Sequence, residues 1–138
     1  MNVSPLLLRL PTGADLLEEL TNACAGAEVT RGSVQVIGAL KRAKTGYYHQ
    51  ADQRYESHEF DEALEILAGL GNVSLKDGKP FVHLHLTLGR ADGSCIGGHA
   101  MPGCEIFAAE ALITPIAGAP LVREPDETTG LPLWRRPE

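Results

Sequence analysis

Five histidines are spread through this chain of 138 residues, and three of them stand where one hairpin can gather them. His83 and His85 lie inside the segment Phe81 to Leu88, which alternates cleanly between apolar and other positions. Val82, Leu84, Leu86 and Leu88 fall on one face of such a strand, and Phe81, His83, His85 and Thr87 on the other. The two imidazoles therefore project from the same side, with roots ~7 Å apart. After the turn signal Asp92-Gly93, Ser94 to Ala100 reads as the returning strand and carries His99. A loop of three residues (Ala91, Asp92, Gly93) or of five sets His99 directly opposite His85, with Cβ atoms ~5 Å apart. A two-residue loop shifts the pairing by one and turns His99 to the other face. Gly97-Gly98 is a further place where a bulge could move the register.

Three neutral imidazoles on one face are a ligand set for a divalent cation, zinc or a relative of it, with one tetrahedral position left for water or substrate. A cation held in this way lowers the pKa of bound water to ~7 or polarises a carbonyl group. The competing reading is a pair of half-buried surface histidines; the third histidine, brought opposite by the hairpin, favours the metal. His49 and His58 have no such company and read as surface residues. Cys24, Cys95 and Cys104 are too few, and odd in number, for a disulfide framework, and read as reduced, small hydrophobic residues. Cys95 lies ~13 Å along the strand from His99, too far to share its cation. Cys104 follows Pro102-Gly103, where the chain can turn, and stays open as a further ligand.

The elements that must position these residues are legible in outline. Leu6 to Leu10 reads as a short strand stopped by Pro11. Thr12 and Asp15 form a capping box for a helix carrying Leu16, Leu17, Leu20, Ala23, Cys24 and Ala27 at helical spacing, with Gly26 as its stop. Strand texture runs from Gly32 to Leu40, and after a bend from Ala43 to His49; Arg54 to Phe60 follows as an edge strand. Phe60 to Leu70 is ambiguous: Glu62 to Leu67 favours helix by propensity, whereas Leu64, Ile66, Ala68 and Leu70 alternate as a strand does. Lys76 to Lys79 is a turn, and Phe107 to Ile113 a last strand. The tail carries Pro115, Pro120, Pro125, Pro132 and Pro137 and reads as an extended strap or a frayed end.

Composition bounds the function. The length suits one domain over residues 1–138, with its core at about 6–115 and an extended tail over 116–138. Hydrophobic residues are 43% and charged residues 22%, near the globular average. No apolar run approaches the ~20 residues that cross a bilayer. Arg9 and Pro11 interrupt Leu6-Leu7-Leu8 before a signal core forms, so a cytoplasmic protein with no membrane partner is expected. The net charge is −6, and the one basic cluster is Lys41, Arg42 and Lys44. Phosphate contacts supply most DNA affinity, so this balance speaks against direct DNA binding.

Several motifs together resemble the PPC (plants and prokaryotes conserved) domain family. They are Val36-Ile37-Gly38-Ala39-Leu40, Gly46-Tyr47-Tyr48, Glu65-Ile66-Leu67, Gly71-Asn72-Val73 and Lys76-Asp77-Gly78, then Pro80-Phe81-Val82-His83-Leu84-His85, Gly97-Gly98-His99 and Phe107-Ala108-Ala109-Glu110. Asp126 to Leu131 is similar to the family's C-terminal end. The resemblance implies an α+β fold, a strongly curved antiparallel sheet with one principal helix, assembled as a homotrimer. It implies strand for Leu64 to Leu70, and a metal or small-ligand site at His83, His85 and His99. The fold is also similar, distantly, to acetolactate decarboxylase, which binds zinc through three histidines. Family members are often described as DNA-binding proteins, because in plants the domain follows an AT-hook; this acidic sequence has no AT-hook.

Two functions from different classes follow as expectations. One is a stand-alone PPC-domain protein, a DNA-binding or transcription-associated regulatory module, assembling as a homotrimer whose zinc or other divalent metal shapes a site for a small molecule. The other is a zinc-dependent lyase or hydrolase acting on a small oxygen-rich substrate. The enzyme needs an acid or base beside the metal, and Glu65 and Asn72 are the candidates, because the resemblance places their strand beside the histidine hairpin.

Overall fold

The computed structural model describes residues 4–137. Element order is β1 (Leu6–Leu10), α1 (Leu16–Gly26), β2 (Gly32–His49), β3 (Arg54–Phe60), β4 (Leu64–Lys76), β5 (Lys79–Gly89), β6 (Cys95–Ala100), β7 (Glu105–Pro115), β8 (Arg123–Pro125) and β9 (Pro132–Trp134). One helix thus accompanies a large antiparallel sheet, the α+β architecture implied by the sequence motifs. Among the described residues no helix is long and apolar enough to cross a membrane.

Strand β2 organises the sheet. Its 18 residues run through the point where the sequence reads as a bend, so two expected strands are one. Its first half pairs with β4 on one side and β7 on the other, and its second half with β3 and β6. Register shifts between Val36 and Gly38, and again from Ala39 to Arg42, absorb the bend without breaking the ladder. Because β6 pairs with both β5 and β2, the sheet curls round until its edge meets its own middle.

The concave side is apolar. Val34, Val36, Leu40, Leu64, Ile66, Leu84, Leu86, Leu88, Ile106 and Ile113 are buried there, and α1 packs Leu16, Leu20 and Cys24 against them. Removing such surface from water supplies most of the driving force for folding, ~25 cal/mol per Å². Helix α1 begins one turn later than a cap at Thr12 would have it. Asp15 is the cap, its carboxylate accepting from the Glu18 amide at 3.1 Å, while the Thr12 hydroxyl donates to the Phe107 carbonyl. The chain leaves the helix through Glu28, which adopts φ +57°, so Gly26 is the last helical residue rather than the left-handed stop.

Alternation prevails over propensity in β4: Leu64 and Ile66 are buried, Glu65 and Leu67 exposed, and Leu67 is the extra residue of a bulge facing β5. The tail is neither frayed nor a plain strap. Strands β8 and β9 form a separate two-stranded sheet, and Arg123 within it is buried against β4.

A three-histidine centre on the convex face

The hairpin β5–β6 takes the three-residue register. Arg90 and Ser94 close the loop over Ala91, Asp92 and Gly93, with Gly93 at φ +86°, and His85 stands directly opposite His99. Core residues Val82, Leu84, Leu86 and Leu88 take the concave side, which leaves His83, His85 and His99 together on the convex one. Gly98 keeps the register tight. At φ +153° it lies where glycine is favoured, and a Cβ there would meet the Gly46 carbonyl oxygen at 2.8 Å.

The three rings converge, with centroids 4.9, 5.2 and 5.7 Å apart. One nitrogen from each lies within 4.8 Å of the others, and the Nε2 atoms of His83 and His85 are 3.1 Å apart. Two nitrogens bound tetrahedrally to one zinc at ~2.05 Å sit ~3.3 Å from each other, so this set needs only a modest ring adjustment to hold a cation. The chemistry of the donors agrees. Burial, then the charges of His85, His99 and Arg123, push the His83 pKa down to about 4. Burial, then His85 and Arg123, likewise lower that of His99. Both imidazoles are therefore neutral near pH 7, with lone pairs free for a metal. His99 Nδ1 is buried, with no hydrogen-bond partner among the described residues.

Neighbours missed in the sequence shape the centre. Gly46 pairs with His99 from β2, and because it has no side chain, the Tyr55 ring of β3 reaches the histidine, 5.0 Å between centroids. Burial, then Tyr48, raises the Tyr55 pKa, with Arg123 partly opposing. Arg123 donates to Asn72 Oδ1 at 3.0 Å, Ser74 Oγ at 2.7 Å and the Pro132 carbonyl at 2.9 Å, and stacks between Phe81 and Trp134. Tyr48 donates to the Thr129 carbonyl, which fastens the tail over the β2–β3 end of the site. The only signal for Tyr55 was its place on an alternating edge strand; Arg123 sits in a proline-rich tail with no periodicity at all.

Of the expected residues, the structure gathers His83, His85 and His99, and places Asn72 across the strand pair from His83. Asn72 lies within β4, not in a turn. Glu65 is not at the centre. It pairs with Gly89, four residues beyond His85, and is ~13 Å away along the strand. Cys104 is excluded as a ligand, since it is fully buried with its sulfur against the Lys44 backbone. Cys95 is exposed beside the loop. His49 and His58 both face Glu56, away from the triad. Lys41 and Arg42 pair with Glu105, and Lys44 with Glu59, so the basic cluster is largely neutralised. Beside His99 opens a groove of about 690 Å³, bounded by Leu17 and Thr21 of α1, Phe81 and Val82 of β5, and Met101 and Pro102.

A curled antiparallel sheet, one helix and three convergent histidines on the outer face define a class of small α+β domains. The chain belongs to the PPC family: the model of the Plants and Prokaryotes Conserved (PCC) domain matches residues 2–117. Among solved structures, it is similar to a metal-containing protein of Archaeoglobus fulgidus, with 41% identity and a TM-score of 0.92 over 96% of this chain and 94% of that one. A plant- and prokaryote-conserved (PPC) protein of Pyrococcus horikoshii has 35% identity and a TM-score of 0.92, covering 98% and 93%. A bifunctional protein GlmU of a Synechococcus strain is 38% identical over 127 residues, which are 89% of this chain; the chain spans 18% of that relative's length.

Proposed function

We propose that this chain is a metal-holding regulatory module, a homotrimer that acts in transcription-associated control through a bound small molecule rather than through its own grip on DNA. The observation that carries the reading is the triad of His83, His85 and His99, spaced for one divalent cation, with burial lowering the pKa values of His83 and His99. Zinc suits three imidazoles best. A bound metal of this kind supplies a Lewis-acidic point for an oxygen ligand. The similar Archaeoglobus protein is described as metal-containing, which supports the same reading here.

Assembly is supported by a row across the convex face. Leu7 pairs with Leu112, Leu112 with Gln35, Gln35 with Leu70, and Leu70 with His85. Leu7 is 82% exposed and Leu70 60%, with Ile37 and Phe107 also bare nearby. Apolar surface of this kind is typical of interfaces, and a closed trimer would cover it. The neutralised basic cluster and net charge of −6 argue against DNA as the direct partner. The expected compartment is the cytoplasm.

The second reading, a zinc-dependent lyase or hydrolase for a small oxygen-rich substrate, is favoured by the groove beside His99. Against it, no carboxylate of the described residues joins the histidine cluster, and beside it stand the Tyr55 phenol and the Asn72 amide, which can hydrogen-bond but does not titrate. Elemental analysis of protein purified without chelator tests the metal, alongside His85→Ala. Near-stoichiometric zinc in the parent and loss in the variant are expected; under about a third of an equivalent per chain after zinc addition ends the reading. A generic DNA probe should not shift even at low salt.

A further inference from the structure

The charge around the triad does not balance. Three neutral imidazoles leave the charge of a divalent cation intact, and Arg123 adds another positive charge beside it. Among the described residues no carboxylate lies within ion-pair range of Arg123, although the chain as a whole is acidic. Arg123 is 7% exposed, and its guanidinium donates only to neutral acceptors. A cation buried in this way is costly unless an anion comes near.

The same contact fixes Asn72. Arginine can only donate, so the oxygen of the Asn72 amide must face Arg123. The NH2 end is then turned away from Arg123, and among the described residues it donates no hydrogen bond to the chain. Asn72 stands directly across the strand pair from His83. A donor amide thus stands across from His83, beside the positive charge of Arg123.

We propose that the histidine centre is selective for a small carboxylate anion, received by the Asn72 amide and held in the positive field of Arg123. The inference rests on the metal reading above and names the ligand class for that site. Asn72 and Arg123 are positioning residues: one offers donors to the ligand, the other orients that amide and supplies charge. A neutral oxygen ligand such as an amide would find the same donors without the electrostatic gain.

Cobalt(II) in the full-length chain makes the test direct, since its visible absorption reports changes at the metal. Acetate is titrated into the cobalt-loaded protein beside acetamide, its neutral counterpart of like size. A saturable spectral change with acetate, at least about tenfold tighter than with acetamide, is expected. Asn72→Asp keeps the size and the Arg123 contact but adds a negative charge; it should retain cobalt and weaken acetate by about tenfold or more. Equal responses to acetate and acetamide, no response to either, or an unaltered acetate affinity in Asn72→Asp overturns the inference while leaving the metal reading intact. Absence of a cobalt spectrum removes the metal centre, and the inference with it.

Discussion

Acid should loosen the metal-free protein through His83 in particular. Its pKa falls from 6.5 to about 4 on folding, mainly because the ring is partly withdrawn from water, with His85, His99 and Arg123 adding repulsion. Between those two pH values the unfolded chain takes up a proton that the folded chain refuses. Unfolding is therefore favoured as pH falls: the stability contribution is complete above about pH 6.5 and is lost progressively towards pH 4. For one proton that interval is worth at most ~3 kcal/mol, and the half-buried ring reduces it by solvent screening to about 1–2 kcal/mol. The assay is urea unfolding of chelator-washed protein at fixed protein concentration, at about pH 7 and about pH 4.5, for the parent and for His83→Gln. Comparing the two proteins removes the contribution of carboxylates, which titrate in both. The parent should lose about 1–2 kcal/mol more than the variant on acidification. Equal losses in the two proteins would refute the account of His83 as a base held neutral by its surroundings.

Four further outcomes are expected. Leu70→Glu places a charge on the exposed apolar row beside His85 and should lower the mass seen by light scattering, with the helix and sheet signals of circular dichroism unchanged. Gly46→Val pushes into Met101 and the Tyr55 ring, each 3.1 Å from the new Cβ, and should cost about 1–3 kcal/mol in denaturant unfolding. Asp15→Ala removes both the helix cap and the bond from the Gly103 amide, at about 1–2 kcal/mol by the same measurement. Cys104→Ala should leave zinc stoichiometry by elemental analysis unchanged, since its sulfur lies against the Lys44 backbone rather than the histidines.

What could be read in advance depended on whether a local pattern had one physical solution. The alternation through Phe81 to Leu88 has a single burial pattern that hides four aliphatic side chains, so the histidines had to share the other face. The hairpin register was narrower still once the Arg90–Ser94 closure was in place. The Leu64 to Leu70 stretch went to strand because burial of Leu64 and Ile66 between two neighbouring strands outweighs the mild helix propensity of its glutamates. The helix cap fell to Asp15 rather than Thr12 because the Thr12 hydroxyl is engaged by Phe107, a partner 95 residues away. Arg123 and Tyr55 were illegible for the same reason. Each reaches the centre through contacts far along the chain, Arg123 to Asn72 and Ser74, and Tyr55 through the absent side chain of Gly46. Glu65 shows the limit of reasoning by shared strand: it occupies the correct face and strand but a distant rung.

The reach of strand β2 has a consequence for how the molecule comes into being. Its nearest partner in sequence, β3, is exposed along nearly all its length, so a hairpin of these two strands alone hides little from water and gains little stability. The partners that bury β2 are β4 and β7, and β7 runs only from Glu105–Pro115. Strand β1 waits for β7 as well, Leu6 seating against Ile113. Strand β1, which precedes the others in sequence, is thus among the last to find its place, since its partner β7 lies about 100 residues further along the chain. Pairings this remote put the fold among the slower single domains, on the order of milliseconds to seconds.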